Sequence, residues 1–126
     1  MSIKILFIED EANERLLYTE ELKKDGYEVL AAANGREGLA VVEKEDIALV
    51  VLDLHMPEMD GLETLGRILT RKRNIPVIIY TAFPQYKDNF ISWAADAYLQ
   101  KSFDLTALKS KIKEILDKKA HGPAKP

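Results

Sequence analysis

The chain has 126 residues, no cysteine and a formal net charge of −3 at pH 7. That length suits one domain with its own hydrophobic core, and the absence of thiols excludes a disulfide framework and any thiolate metal site. The mildly acidic balance gives no global attraction to nucleic acid or anionic lipid, and no apolar run approaches the ~20 residues of a membrane span.

In chain order, Ile3 to Ile8 is a continuous apolar run of the kind a strand buried on both faces requires, and it stops at three acids, Glu9-Asp10-Glu11. No basic leader precedes it, so the expectation is a soluble cytoplasmic protein. Two roles stay open for the acids: compensation of a helix dipole in the first turn, or relief of their mutual repulsion by a divalent cation. A helix is predicted from Ala12 to Lys24, with Leu16, Leu17 and Leu22 on its apolar face and Gly26 as a left-handed cap. Tyr27 to Ala32 reads as a second strand and Asn34-Gly35 as a turn. Arg36 to Lys44 reads as a helix burying Leu39, Val41 and Val42.

Ile47 to Leu52 is the third strand run, ending at Asp53. An acid there either caps the next segment or stands at the carboxyl edge of a sheet, where open α/β sheets place their chemistry. Met56-Pro57 and Asp60-Gly61 punctuate the next loop, since proline fixes one torsion and glycine permits a positive φ. A helix is predicted from about Leu62 to Arg71, apolar at Leu62, Leu65, Ile68 and Leu69. Its basic end, Arg71-Lys72-Arg73, fits either the helix dipole or a nucleic-acid contact. Pro76 to Tyr80 is the fourth strand, ending at Thr81. Pro84 suits the first turn of a fourth helix with a core stripe of Tyr86, Phe90, Trp93 and Ala94. Ala97 to Leu99 forms a fifth strand running into Lys101, and Asp104 caps a fifth helix that buries Leu105, Leu108, Ile112, Ile115 and Leu116. Residues 1–119 are thus read as one domain, and residues 120–126 as a disordered tail or linker stub.

Five strands alternating with five helices predict an α/β fold with a doubly wound parallel sheet. Parallel strands bring Glu9, Asp10, Asp53, Thr81 and Lys101 to one edge. Carboxylates converging with a lysine and a hydroxyl suit a hard cation and an anion together, pointing to Mg²⁺ and a phosphate, with Asp53 as the nucleophile that takes a phosphoryl group. No G-x-x-x-x-G-K-[ST] or G-x-G-x-x-G motif occurs, so the donor is not expected to be a bound nucleotide.

From about Ile3 to Lys119 the sequence resembles the response-regulator receiver domain. The resemblance is carried by Ile8-Glu9-Asp10-Glu11, the run Leu52 to Gly61, Thr81-Ala82, and Ala95-Asp96-Ala97-Tyr98-Leu99-Gln100-Lys101. It implies a flavodoxin-like sheet of strand order 2-1-3-4-5. It implies that Asp53 accepts phosphate from a phosphohistidine on a sensor histidine kinase or phosphotransfer protein. Asp10, Asp53 and the backbone carbonyl of His55 would bind Mg²⁺, with Glu9 holding a metal-bound water. Lys101 and the backbone of Ala82 would meet the phosphoryl group, while Thr81 and Tyr98 form the switch. His55 and Phe83 would flank the dephosphorylation path. The output would be a population shift on the face of the fourth helix, fifth strand and fifth helix, read by a downstream protein target. Such a domain catalyses only its own phosphorylation and dephosphorylation. It is expected as a monomer or weak phosphorylation-dependent dimer, without nucleic-acid or membrane contact.

The chain departs from the family pattern in three places. Glu9 stands where aspartate is common, Ser102 follows Lys101 where a cis-proline is common, and Ala94 replaces a glycine that often ends the fourth helix. Two other classes fit parts of the pattern. A Mg²⁺-dependent phosphatase of the haloacid-dehalogenase type also uses a strand-end aspartate, but that chemistry wants a second acid where His55 stands. A pure interaction module would not need Asp53, Asp10, Thr81 and Lys101 together.

Overall fold

The apolar runs form the sheet. In the computed structural model, which describes residues 2–54, 61–82, 94–102 and 104–120, the strands are β1 (Lys4–Ile8), β2 (Glu28–Ala32), β3 (Leu49–Leu52), β4 (Val77–Thr81) and β5 (Ala97–Gln100). All pairings are parallel and the order is β2-β1-β3-β4-β5, as the resemblance implies. Four helices lie among the described residues: α1 (Ala12–Lys23), α2 (Gly35–Lys44), α3 (Gly61–Arg71) and α4 (Thr106–Ala120), the last being the predicted fifth helix. The predicted fourth helix, with Pro84, Tyr86, Phe90 and Trp93, lies outside the described residues, as do Met56 to Asp60 and the tail from His121. No helix among the described residues is long and apolar enough to cross a membrane.

Strand alternation divides the core into two layers. Leu6, Ile8, Val50, Leu52, Val77 and Ile79 pack with Leu39 and Val42 of α2 and Leu65 and Ile68 of α3. Ile5, Phe7, Leu49, Val51, Ile78 and Tyr80 pack with Tyr18 and Leu22 of α1 and Leu108 and Ile112 of α4. Both layers are needed because β3 and β4 are buried along their whole length, and each such side chain is worth about 1.5–3 kcal/mol removed from water.

Two local expectations are corrected, and at a third position the structure shows what the glycine is for. Leu16 and Leu17 are not the buried face of α1: they are 62% and 53% exposed, because the helix turns Tyr18 and Leu22 to the sheet, where the Tyr18 ring stacks on Phe7 at 5.2 Å. Asn34-Gly35 is a helix start, not a turn, since the Asn34 side chain accepts from the Glu37 N–H and Gly35 begins α2. Gly61 has no positive φ; among the described residues only Gly26 has one, at +93°, consistent with its expected role just past α1. Gly61 is needed for space instead, because a Cβ there would strike the main chain of Leu54, to whose carbonyl the Gly61 N–H donates at 3.0 Å. The basic end of α3 is partly spoken for: Arg71 pairs with Glu43 of α2.

Candidate functional site

Register builds the site. Ile8 pairs with Leu52, so the next residues, Glu9 and Asp53, stand side by side, and the Asp53 N–H continues the ladder to the Ile8 carbonyl at 3.1 Å. Thr81 pairs with Gln100, and the Lys101 N–H donates to the Thr81 carbonyl at 2.8 Å, which fixes the lysine stem beside β4. Carboxylate oxygens of Glu9, Asp10 and Asp53 all lie within 4.8 Å of one another. Glu9 and Asp53 are buried, at 1% and 4% exposure, while Asp10 is exposed.

The acid triplet divides between the two roles left open for it. Glu9 and Asp10 join the cluster, whereas Glu11 is the N-cap of α1, its Oε1 accepting from the N–H groups of Asn13 and Glu14 at 3.0 and 3.1 Å. The Arg15 guanidinium ties the loop down from the helix, donating to the carbonyls of Glu9 at 2.7 Å and Asp10 at 3.3 Å.

The Lys101 ammonium lies at the centre of the carboxylates. It donates to Glu9 Oε1 and Glu14 Oε1, both at 2.6 Å, and to Asp53 Oδ2 at 3.0 Å, and it sits 5.9 Å from the centre of the Tyr18 ring. Burial works against its charge, but hydrogen bonds to Glu14 and Glu9 and the charge of Asp53 outweigh burial and hold its pKa above the ordinary lysine value. Glu9 moves for a different reason: burial pushes its carboxyl up to about 7 against the lowering effect of Lys101, with the Asp53 charge adding to the rise. One ammonium thus faces more anionic charge than it neutralises. Oxygen donors carrying surplus negative charge are the setting that a hard divalent cation fits.

Thr81 is fully buried at the end of β4, and Tyr98 is half-buried in β5 against the aliphatic layer. Ala82 is exposed just past Thr81. His55 and Phe83 lie outside the described residues. The peptide between Lys101 and Ser102 is trans, so the serine in place of proline does not force a cis bond. The loop is held by Tyr80 instead, whose hydroxyl donates to the Ser102 carbonyl at 3.2 Å and accepts from its N–H at 3.3 Å.

Sequence reasoning missed Glu14, Arg15 and Tyr18. A signal was present: Glu14, Tyr18 and Leu22 recur every four residues and form one row on α1, and Tyr18 and Leu22 are buried. A glutamate on that row points toward the sheet edge.

Comparison with known proteins agrees with the fold. The sequence profile of the response regulator receiver domain matches residues 5–113. Sporulation initiation phosphotransferase F of Bacillus subtilis is 36% identical over 123 residues, covering 96% of this chain and 99% of that protein. The response regulator TrrA of Thermotoga maritima, solved in complex with Mg²⁺-BeF, superposes with a TM-score of 0.87 at 42% identity, covering 90% of this chain and 98% of that one. TrrA in complex with the histidine kinase ThkA gives a TM-score of 0.85 at 42% identity, with the same 90% and 98% coverage. The chain spans about half the length of other curated relatives, which are transcriptional regulators.

Proposed function

The chain belongs to the response regulator receiver domain family, the phosphorylation-activated switches of two-component signalling, and on that premise we propose that Asp53 is the phosphoacceptor and that the donor is a phosphohistidine on a sensor histidine kinase or phosphotransfer protein. The observation that carries this reading is the buried Asp53 carboxylate, 3.0 Å from the Lys101 ammonium and clustered with Glu9 and Asp10 at the carboxyl edge of the sheet. The kinase complex of TrrA supports the kind of donor.

An Asp53 oxygen attacks phosphorus, the phosphorus–nitrogen bond to the donor histidine breaks, and an acyl phosphate forms. Lys101 compensates charge on the phosphoryl oxygens, and the Ala82 N–H donates to one of them. Asp10, Asp53 and the main-chain carbonyl of His55 would hold Mg²⁺, with Glu9 acting through water; when bound, the ion supplies neutralisation and orientation of the reacting oxygens. The Thr81 hydroxyl moves to the new group and Tyr98 follows it inward, shifting populations on the surface around β5 and α4 that a downstream protein reads. The chain also hydrolyses its own acyl phosphate, with His55 and Phe83 bordering the path of water. Residues 1–119 form the functional unit. The dehalogenase-type alternative loses ground because Asp53 follows the third strand of the chain, not the first.

Incubation with Mg²⁺ and acetyl phosphate is expected to add one base-labile phosphate, which mass spectrometry places on Asp53. Modification of an Asp53→Asn protein would refute the assignment, and labelling that survives chelation would remove the metal from it.

A further inference from the structure

We propose that Glu14, in the first turn of α1 and outside the acid cluster, competes with the phosphoryl group on Asp53 for the Lys101 ammonium and so weakens the hold of the site on that group. The inference rests on the reading of Asp53 as phosphoacceptor.

A lysine ammonium has three N–H bonds to give. Here they face three carboxylates: Glu9 and Glu14 at 2.6 Å each and Asp53 at 3.0 Å. A phosphoryl group on Asp53 brings new anionic oxygens without adding a donor to Lys101. The bond to Asp53 can pass to one phosphoryl oxygen, but a second N–H reaches the group only if Glu9 or Glu14 gives it up. Glu9 is poorly placed to let go, being 1% exposed with its other oxygen already accepting from the Glu11 N–H at 3.1 Å. Glu14 is the exchangeable partner. Its side chain is 39% exposed, so water can take over when the lysine leaves.

A blander role exists for Glu14, since any carboxylate in a first helical turn favours the helix dipole. That role needs only the charge. It does not require the carboxylate to reach a lysine 87 residues away in sequence or to accept from the Tyr18 hydroxyl at 3.3 Å. The two roles separate by reach: aspartate keeps the charge at the helix start but is one methylene too short to hold the ammonium.

The test is calorimetric titration with beryllofluoride in saturating Mg²⁺, the probe with which TrrA was crystallised. The proteins are wild type, Glu14→Gln, Glu14→Asp, Lys101→Met and the Lys101→Met/Glu14→Gln double variant, each shown by its melting curve to be folded at the titration temperature. Glu14→Gln and Glu14→Asp are both expected to bind beryllofluoride about three- to tenfold more tightly than wild type. In the Lys101→Met background, Glu14→Gln is expected to change affinity less than about twofold, because the competition has lost its object. Equal affinity of wild type and both single variants overturns the inference, as does an equal gain with and without Lys101, which would reduce Glu14 to a general field. A wild-type protein that binds no beryllofluoride overturns the acceptor reading, and this inference with it; wild-type binding with unmoved variants overturns this inference alone.

Discussion

The two layers beneath the sheet are built from different material. The layer under α2 and α3 is aliphatic apart from the half-buried Tyr98, and it admits close approach: the α-carbon of Gly38 lies where any side chain would meet Ile8. The layer under α1 and α4 holds Phe7, Tyr18 and Tyr80 in mutual contact, with centroids 5.2 to 6.5 Å apart. Strand alternation, carried one residue past each strand, puts Glu9, Asp53 and Lys101 above the aromatic layer. Thr81 and Tyr98 fall on the aliphatic side. Charge is therefore held over three rings, two of which carry hydroxyls, and the proposed switch pair sits over aliphatic side chains. The proposed acceptor and the proposed switch pair occupy opposite faces of one sheet.

The largest expected effect contrasts neighbours on the two faces of β1. Phe7→Ala removes the ring that supports Tyr18 and Tyr80 and should cost about 3–5 kcal/mol, while Ile8→Val on the aliphatic face should cost about 0.5–1.5 kcal/mol. Urea melts of both variants measure the difference, and equal costs would show that the aromatic cluster is no special support. Next comes the charge above the rings. The folded chain keeps a proton on Glu9 up to about pH 7, whereas the unfolded chain releases it near 4.5. Protons are then bound more by the folded state, so raising pH through this window destabilises the metal-free protein, by up to about 3 kcal/mol. Glu9→Gln should flatten that slope in chelator-treated melts; a slope of the same size in the variant would assign it to another group. The smallest effect concerns the loop that carries Lys101. Tyr80→Phe deletes both hydrogen bonds to Ser102 and should cost about 1 kcal/mol, with amide exchange at Ser102 faster than in wild type. Unchanged exchange at Ser102 would show that the loop holds without the hydroxyl.

Sequence encodes the strands and their polar ends directly, and the helix faces and close contacts only in part. Strands buried on both faces announce themselves as unbroken apolar runs, and the polar residue ending each run marks the edge, so Glu9, Asp53, Thr81 and Lys101 are legible in the chain alone. Strand order is not encoded in any local run and comes from the family resemblance. The buried face of α1 is misleading in sequence because Leu16 and Leu17 outweigh Tyr18 on any hydrophobic count, while the sheet selects the residue whose ring fits Phe7. The same pattern hides Glu14, which sits one turn before Tyr18. The purpose of Gly61 is hidden for another reason, since a collision with Leu54 exists only after the chain has turned back on itself.

The pairing of Thr81 with Gln100 makes β5 a ruler for the lysine. A parallel strand advances about 3.3 Å per residue and changes face at each step. One residue inserted between Ala97 and Lys101 would carry the ammonium a full rung onward and turn it toward the aliphatic side. The opposite edge of the sheet, around Asp46 and at Arg73-Asn74, carries no such graduation, because extra residues there lengthen a turn without moving any strand's register. For grafting a tag or a reporter, the two ends of the sheet are unequal ground: one can lengthen freely, and the other is counted residue by residue.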